Sequence, residues 1–527
     1  MRDFQLPGRS PVRSTDAMVA TSHPLASAAA LDILRRGGNA MDAAICASAV
    51  LAVVEPQSTG IGGDCFVLFQ PAAGGDVMAF NGSGRAPRAA DPAWFADNGF
   101  ETMPTFGPHA VTIPGAIDAW CRLIEDHGSK DLAEIFAAAV HYAENGYVVH
   151  DRVAFDWALA AERLSDDPNA AKIFLSEGQA LKAGDVHRQP ALAETLRIIA
   201  KQGRAGFYEG AIAADLVGHL NSLGGLHTLE DFAEATGNYE TPISSRYRDH
   251  DIWQLPPANQ GVTALIGLNI LGGYDLSAMD PLGADRLHLE LEAGRLAYGM
   301  RDLHVSDPAS AKITPEELLS AATADRLRGR ISPDRAMPTG PLHLEASDTV
   351  YLSVVDRDRN VVSFINSTYY SFGSGLVGPR SGVVLQNRGA CFRLDPNHPN
   401  CIAGGKRPLH TIMPGMVTRD GRAVMSYGVM GGDYQPMGHM HVLSNVLDFG
   451  MDIQEAIDQP RIFFDDDKVV AERGIPETTL ARLAARGHIT ESTAEPLGGG
   501  QAIVIDWDKG TLTGGSDPRK DGCALGL

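Results

Sequence analysis

The chain changes its periodicity near residue 335, and that change limits the folds open to it. Before it, TIPGAIDAWCRLIEDHG predicts a helix started by Pro114 and ended by Gly128, and SKDLAEIFAAAVHYAENG repeats the arrangement up to Gly146. Helices dominate residues 110 to 235, and ADRLHLELEAGRLAYGMRD adds another from Ala284. After it come TVYLSVVD, VVSFINS, SGVVLQN, GMVTRDGRAVMSYGVM and QAIVID, short β-type runs joined by glycine turns, with helices from Met437 to Phe449 and from Ile453 among them. The whole reads as mixed α/β. The turn-rich, aperiodic AMPTGPLHLEASD is the best candidate for an internal boundary.

Near the N-terminus, AAALDILRRGG closes on Gly37 and Gly38, and NAMDAAICASAVLAVV opens after Asn39, a good N-cap. Two apolar helices in tandem predict a helical layer over a core. The glycines of EPQSTGIGGDCFVLFQ precede an apolar run, Cys65 to Phe69, that reads as a buried strand. They lack the GxGxxG spacing and a Walker lysine, so close backbone packing is favoured over a phosphate loop. YETPISSRYRDHDIWQLPP reads as a hairpin running into a proline pair.

At 527 residues, length alone suggests two to four domains. A net charge of -21 without a basic patch argues against a nucleic-acid partner. No apolar leader and no apolar run of transmembrane length occur, so a soluble cytoplasmic protein with no membrane partner is expected. Six scattered cysteines with no CxxC pair fit reduced thiols better than a disulfide or zinc framework. His439 and His441 in GHMHV lie two apart on a helix and face different ways, which argues against a metal. No GxSxG elbow marks a serine hydrolase.

Thr349, at the head of TVYLSVVD, is by pattern an ordinary β-branched strand former. What sets it apart is the series to which it belongs: LDILRRGGNAMDAAICASAVLAVVEPQSTGIGGDCFVL, TIPGAIDAW, FYEGAIAADLVGHLNSLGGLHTLEDFA, YETPISSRYRDHDIWQLPPANQG, DTVYLSVVDRDRNVVSF, FGSGLV, GKRPLHTIMPGMV and GVMGGD. In this order they resemble the γ-glutamyltransferase (glutathione hydrolase) family. The resemblance implies an N-terminal nucleophile hydrolase with a four-layer αββα fold and no cofactor. It also implies a precursor that cuts itself between Asp348 and Thr349 into a large chain, 1–348, and a small chain, 349–527, which together form one αββα domain and remain a heterodimer.

A threonine hydroxyl is a poor nucleophile near neutral pH, whereas a free α-amine on the same residue, of pKa about 8, is a base within reach. One cleavage creates both groups. Gly431 and Gly432 match the family's oxyanion-hole glycines, although alone they read as a tight turn. Ser367 matches a second hydroxyl that hydrogen-bonds the nucleophile; by itself it is a strand-end serine.

The residues that hold a γ-glutamyl group in the family are mostly changed. In VVLQNRGACF the aspartate that pairs with the α-amino group is matched by Cys391, and Arg388 lies three residues earlier in the same substrate-binding run. Tyr369 stands where an asparagine is usual. His410 and Thr411 replace a serine pair that binds the α-carboxylate. The family's carboxylate-binding arginine falls at Ser83, with Arg85 two residues on and Arg88 beyond it; a solvated surface arginine is an equally good reading of Arg85. These departures resemble a divergent subgroup that includes oxamate amidohydrolase and cephalosporin acylase types, which cleave small-molecule amides whose acyl part carries a carboxylate without the amino group. The same changes also admit a non-catalytic scaffold using the same cleft, against which the retained Thr349, Ser367 and glycine pair argue.

Overall fold

The structure, a computed structural model, describes residue 5 and residues 8–72, 75–338 and 349–527. Two seven-stranded sheets, antiparallel at every pairing, face one another. In the first, the order is Cys523–Gly526, Met18–Thr21, Val350–Val355, Val361–Ser367, Asp64–Gln70, Met78–Gly82, Asn238–Glu240. In the second it is Val12–Ser14, Thr511–Ser516, Gly499–Asp506, Arg422–Met430, Gly415–Arg419, His250–Gln254, Ile243–Tyr247.

Alternation along the strands divides their side chains between cores. Along Val350–Val355, Val350, Leu352 and Val354 join the core under one helical layer, while Tyr351 and Val355 enter the core between the sheets. The helices Pro24–Arg35, Ala40–Val54 and Leu132–Asn145 cover the outer face of the first sheet. Gly261–Leu271, Ala284–His304 and Gln435–Leu447 cover that of the second. This is the four-layer αββα sandwich. Ala40–Val54 is buried at all fifteen positions, which explains its uniformly apolar sequence, and Asn39 and Asp42 close a capping box at its start.

Each sheet takes strands from both sides of the periodicity change, so residue 335 does not divide two globular units. The hairpin is formed by Ile243–Tyr247 and His250–Gln254, while the preceding Asn238–Glu240 joins the other sheet. SGVVLQN, expected as a strand, forms only isolated bridges. Its backbone is tied to a neighbouring loop: Leu385 N–H donates to Leu376 O at 3.0 Å, and Leu385 O accepts from Ser374 N–H at 2.8 Å. The glycines before Asp64 are tightly packed against backbone. A Cβ on Gly62 would meet Val384 O at 2.2 Å, and one on Gly63 would meet Ser367 O at 2.3 Å.

Candidate active site

Thr349 stands one residue ahead of Val350–Val355 and is fully buried. Because that strand pairs with Val361–Ser367 in the register Val350↔Asn366, Thr349 falls opposite Ser367. Their hydroxyl oxygens are 3.2 Å apart, and Ser367 Oγ also accepts the Tyr369 N–H at 2.9 Å. Asp348 lies outside the described residues.

The glycine pair approaches from the other sheet. Ser353 Oγ lies 2.8 Å from Ser426 Oγ, and Tyr351 packs where a Cβ on Gly428 would be, at 2.4 Å. The two strands therefore run in opposite senses across the sheet interface, and stepping back from Tyr351 to Thr349 is stepping forward from Gly428 to Met430. Gly431 and Gly432 follow at once, with φ of 115° and 54°. Both values lie in the left-handed region, and a Cβ on Gly431 would meet Gly498 Cα at 2.9 Å, so the turn requires glycine there. Gln260 fixes it from behind: its Nε2 donates to Thr411 O at 2.5 Å and to Gly432 O at 3.2 Å. Arg301 donates to Gln260 Oε1 at 2.9 Å and pairs with Asp433, whose carbonyl also accepts the Tyr298 hydroxyl.

Arg388, Thr411, Tyr369 and Cys391 come together beside this turn. Arg388 is fully buried; its Nη1 donates to Thr411 Oγ1 at 2.7 Å and lies 4.0 Å from Cys391 Sγ, and its guanidinium carbon is 4.1 Å from the centre of the Tyr369 ring. Nε and Nη2 of Arg388 have no hydrogen-bond partner among the described residues. Tyr369 holds a left-handed backbone, φ 82°, unusual for a bulky residue and characteristic of constrained functional loops. Burial pushes the Cys391 thiol up, leaving a neutral group beside the cation.

The structure places His410 and Arg85 differently. His410 is fully buried, with Nε2 2.9 Å from Asp64 Oδ2 and Nδ1 accepting the Ile412 N–H at 3.4 Å. Burial, with Arg388 nearby, lowers its pKa to about 3, so the ring is neutral and donates to Asp64. Both nitrogens are thus used within the protein rather than offered to a carboxylate. Arg85 is exposed, donates to Gly405 O at 3.0 Å and lies 4.0 Å from Asp307. Arg88 pairs with Glu230 and Glu234 at the surface, and Ser83 is buried with its hydroxyl on Asn81 at 2.7 Å.

Sequence reasoning passed over Asp64. Its Oδ1 accepts Gly84 N–H at 2.9 Å, Gly115 N–H at 3.2 Å and Gln386 Nε2 at 3.0 Å, so it ties together the loops around the nucleophile. A lone aspartate at a strand start carries no local signal of this. His439 and His441 do part company: His439 meets Gln254 and the Val429 N–H, and His441 meets Glu290 and Arg286. A different group, His288, Glu292 and His488, has ligand atoms within 4.8 Å of one another. They are engaged in a chain of hydrogen bonds: Arg295 to His488 Nδ1, His488 to His288 at 2.8 Å, and His288 to Ser332 O at 2.7 Å, while Glu292 accepts Met337 N–H at 2.9 Å.

A four-layer αββα sandwich, with a threonine and a serine at adjacent strand ends and a left-handed glycine pair arriving from the facing sheet, defines the N-terminal nucleophile hydrolase class. The gamma-glutamyltranspeptidase family profile matches residues 26–527, and the chain belongs to that family, as an enzyme of its self-processing amidohydrolase kind. It is 37% identical to the glutathione hydrolase-like YwrD proenzyme of Bacillus subtilis over 98% of this chain and 99% of the relative. It is 36% identical to the oxamate amidohydrolase proenzyme of Klebsiella pneumoniae subsp. pneumoniae, over 97% and 99%. The crystal structure of cephalosporin acylase from Bacillus halodurans superposes with a TM-score of 0.94 at 38% identity, covering 100% of this chain and 99% of that one. Among the described residues no helix is long and apolar enough to cross a membrane.

Proposed function

We propose that Thr349 is the nucleophile of an amide hydrolase, released by cleavage of the precursor after Asp348. The observation that carries the reading is the 3.2 Å contact between the Thr349 and Ser367 hydroxyls at the strand end facing Gly431 and Gly432. In maturation the Thr349 oxygen attacks the Asp348 carbonyl, the acyl group shifts from nitrogen to oxygen, and water hydrolyses the ester to leave a free α-amine. In turnover that amine takes the hydroxyl proton as the oxygen adds to the substrate carbonyl, the glycine N–H groups receive the oxyanion, and the proton passes to the departing amine. Water then releases the acyl group.

The two chains stay together as a heterodimer. Val350–Val355 and Val361–Ser367 of the small chain lie between Met18–Thr21 and Asp64–Gln70 of the large one, and three further ladders also join the two chains, so separation would break five ladders and open a core. Free cysteines support a cytoplasmic location. The acyl group is one bearing a carboxylate and no ammonium. Arg388 supplies the cation, Thr411 a hydroxyl, and Cys391 is neutral where an ammonium would need an acid; a small-molecule amide of the oxamate or glutaryl kind fits these groups better than a γ-glutamyl peptide.

Intact mass of the purified chain tests the nucleophile. Two fragments divided between Asp348 and Thr349, absent in Thr349→Ala, are expected, followed by turnover of oxamate, glutaryl amides or glutathione in a screen. A single full-length mass that persists on long incubation overturns the reading in favour of a scaffold.

A further inference from the structure

Next to the glycine turn lies a cavity of about 470 Å³ with Gly431 in its wall. Apolar surface comes from Leu159, Phe463, Tyr434 and Tyr370. Tyr370 is the neighbour of Tyr369, and the two rings meet edge to face with centroids 4.8 Å apart. Arg388 packs on the Tyr369 ring of this pair and Tyr370 lines the cavity, so the two tyrosines lie between Arg388 and the cavity.

The cavity wall carries cations of its own. Arg152 grips Asp156 at 2.8 and 2.9 Å, and Lys520 lies 3.6 Å from the same carboxylate, so these charges of the wall are matched. Asp465 and Glu495 are exposed. Arg163 is held differently: its guanidinium lies 4.6 Å over the Phe106 ring and Nη2 donates to Ser371 O. Arg163 Nε and Ser371 Oγ, both on this wall, are buried without a hydrogen-bond partner among the described residues. A guanidinium fixed by a ring and by the Ser371 carbonyl, with a spare N–H of its own and a spare hydroxyl on that same serine, offers the donors of a carboxylate receptor.

We propose that this cavity receives the leaving amine of the substrate, and that the amine has an apolar or aromatic body and a carboxylate bound by Arg163 and Ser371. The proposal rests on the reading of Thr349 as nucleophile. When the amide C–N bond breaks, the acyl carbon stays on the Thr349 oxygen and the amine nitrogen leaves with the proton taken from that hydroxyl. With the acyl carboxylate at Arg388, the amine lies on the far side of the tyrosine pair, against Phe463 and Leu159.

Binding of two free amines to the purified protein, cleaved or not, measured by calorimetry, tests the subsite without requiring turnover. 3-Aminobenzoate is expected to bind and aniline to bind more weakly. Arg163→Gln should weaken 3-aminobenzoate about tenfold, the scale of one charge-assisted contact, and leave aniline unchanged, with Arg163→Lys recovering part of the loss. Leu159→Glu, at a side chain 62% exposed, provides a variant with little demand on folding and should repel 3-aminobenzoate selectively. Equal affinity of the two amines in the wild type, or equal loss in Arg163→Gln, overturns the proposal. Failure of the chain to cleave before Thr349 while selective binding persists overturns the nucleophile reading instead.

Discussion

Arg388→Met separates binding from folding. The side chain has no exposed surface, and among the described residues its hydrogen bonds go from Nη1 to Thr411 and, weakly, to Cys391. Nε and Nη2, which form one edge of the guanidinium, are unpaired among the described residues. That edge matches the two oxygens of a carboxylate, and each charge-assisted bond is worth roughly 1.5–3 kcal/mol. Losing both costs a carboxylated acyl substrate about 3–6 kcal/mol, or roughly 10²–10⁴ in kcat/KM.

Folding should respond in the opposite sense. A buried guanidinium without a carboxylate bears a desolvation penalty that its contacts with Thr411 and the Tyr369 ring offset only partly. Methionine fills similar space without the charge, and replacing buried charges by packed apolar groups is often neutral or stabilising by about 1–4 kcal/mol. Kinetics on glutaryl anilide and on the matched neutral butyryl anilide, with thermal melts, give the assay. The expected result is selective loss on the glutaryl substrate with Tm unchanged or raised. A large fall in Tm together with equal loss on both substrates would refute the assignment of that edge to a ligand.

Adding Cys391→Asp to Arg388→Met places an acid beside the position the cation has vacated, and γ-glutamyl anilide hydrolysis should rise relative to glutaryl anilide; an unchanged ratio would remove Cys391 from the acyl site. Gly431→Ala forces a Cβ against Gly498 in a backbone at φ 115°, strain of about 1–3 kcal/mol, and both self-cleavage and kcat should fall; normal cleavage and turnover would place the oxyanion elsewhere. Acid should destabilise the fold through its buried histidines: burial, first among the causes, lowers His410, His439, His23 and His488 to about 3 and His187 and His227 to about 4. Unfolded, these rings titrate near 6.5, so the unfolded chain binds more protons below that pH and stability is lost as pH falls from about 6.5 towards 4. Urea midpoints that stay constant across that window would refute the account.

What the sequence revealed and what it concealed differ by how far along the chain a residue's partners lie. The helix Ala40–Val54 was legible because its cap, Asn39 with Asp42, is local. Thr349 faces Ser367 across one hairpin, and the family pattern pointed to both. SGVVLQN looked like a strand because its side chains are apolar, yet its backbone bonds are set by a loop that no pattern within seven residues announces. His410 was read as a substrate contact because the Asp64 that occupies it lies 346 positions earlier. Arg388 was legible as a member of a binding run, but its unpaired edge emerges only when Thr411 has taken Nη1 and the Tyr369 ring has fixed the plane. The same holds for the glycine pair. Gly431 and Gly432 allow the left-handed turn, but Gln260, 172 positions before Gly432, holds its carbonyl and that of Thr411 together. One amide thus connects the glycine turn to the residue that orients Arg388, so the position of the proposed oxyanion donors and that of the carboxylate anchor are set jointly rather than by either motif alone.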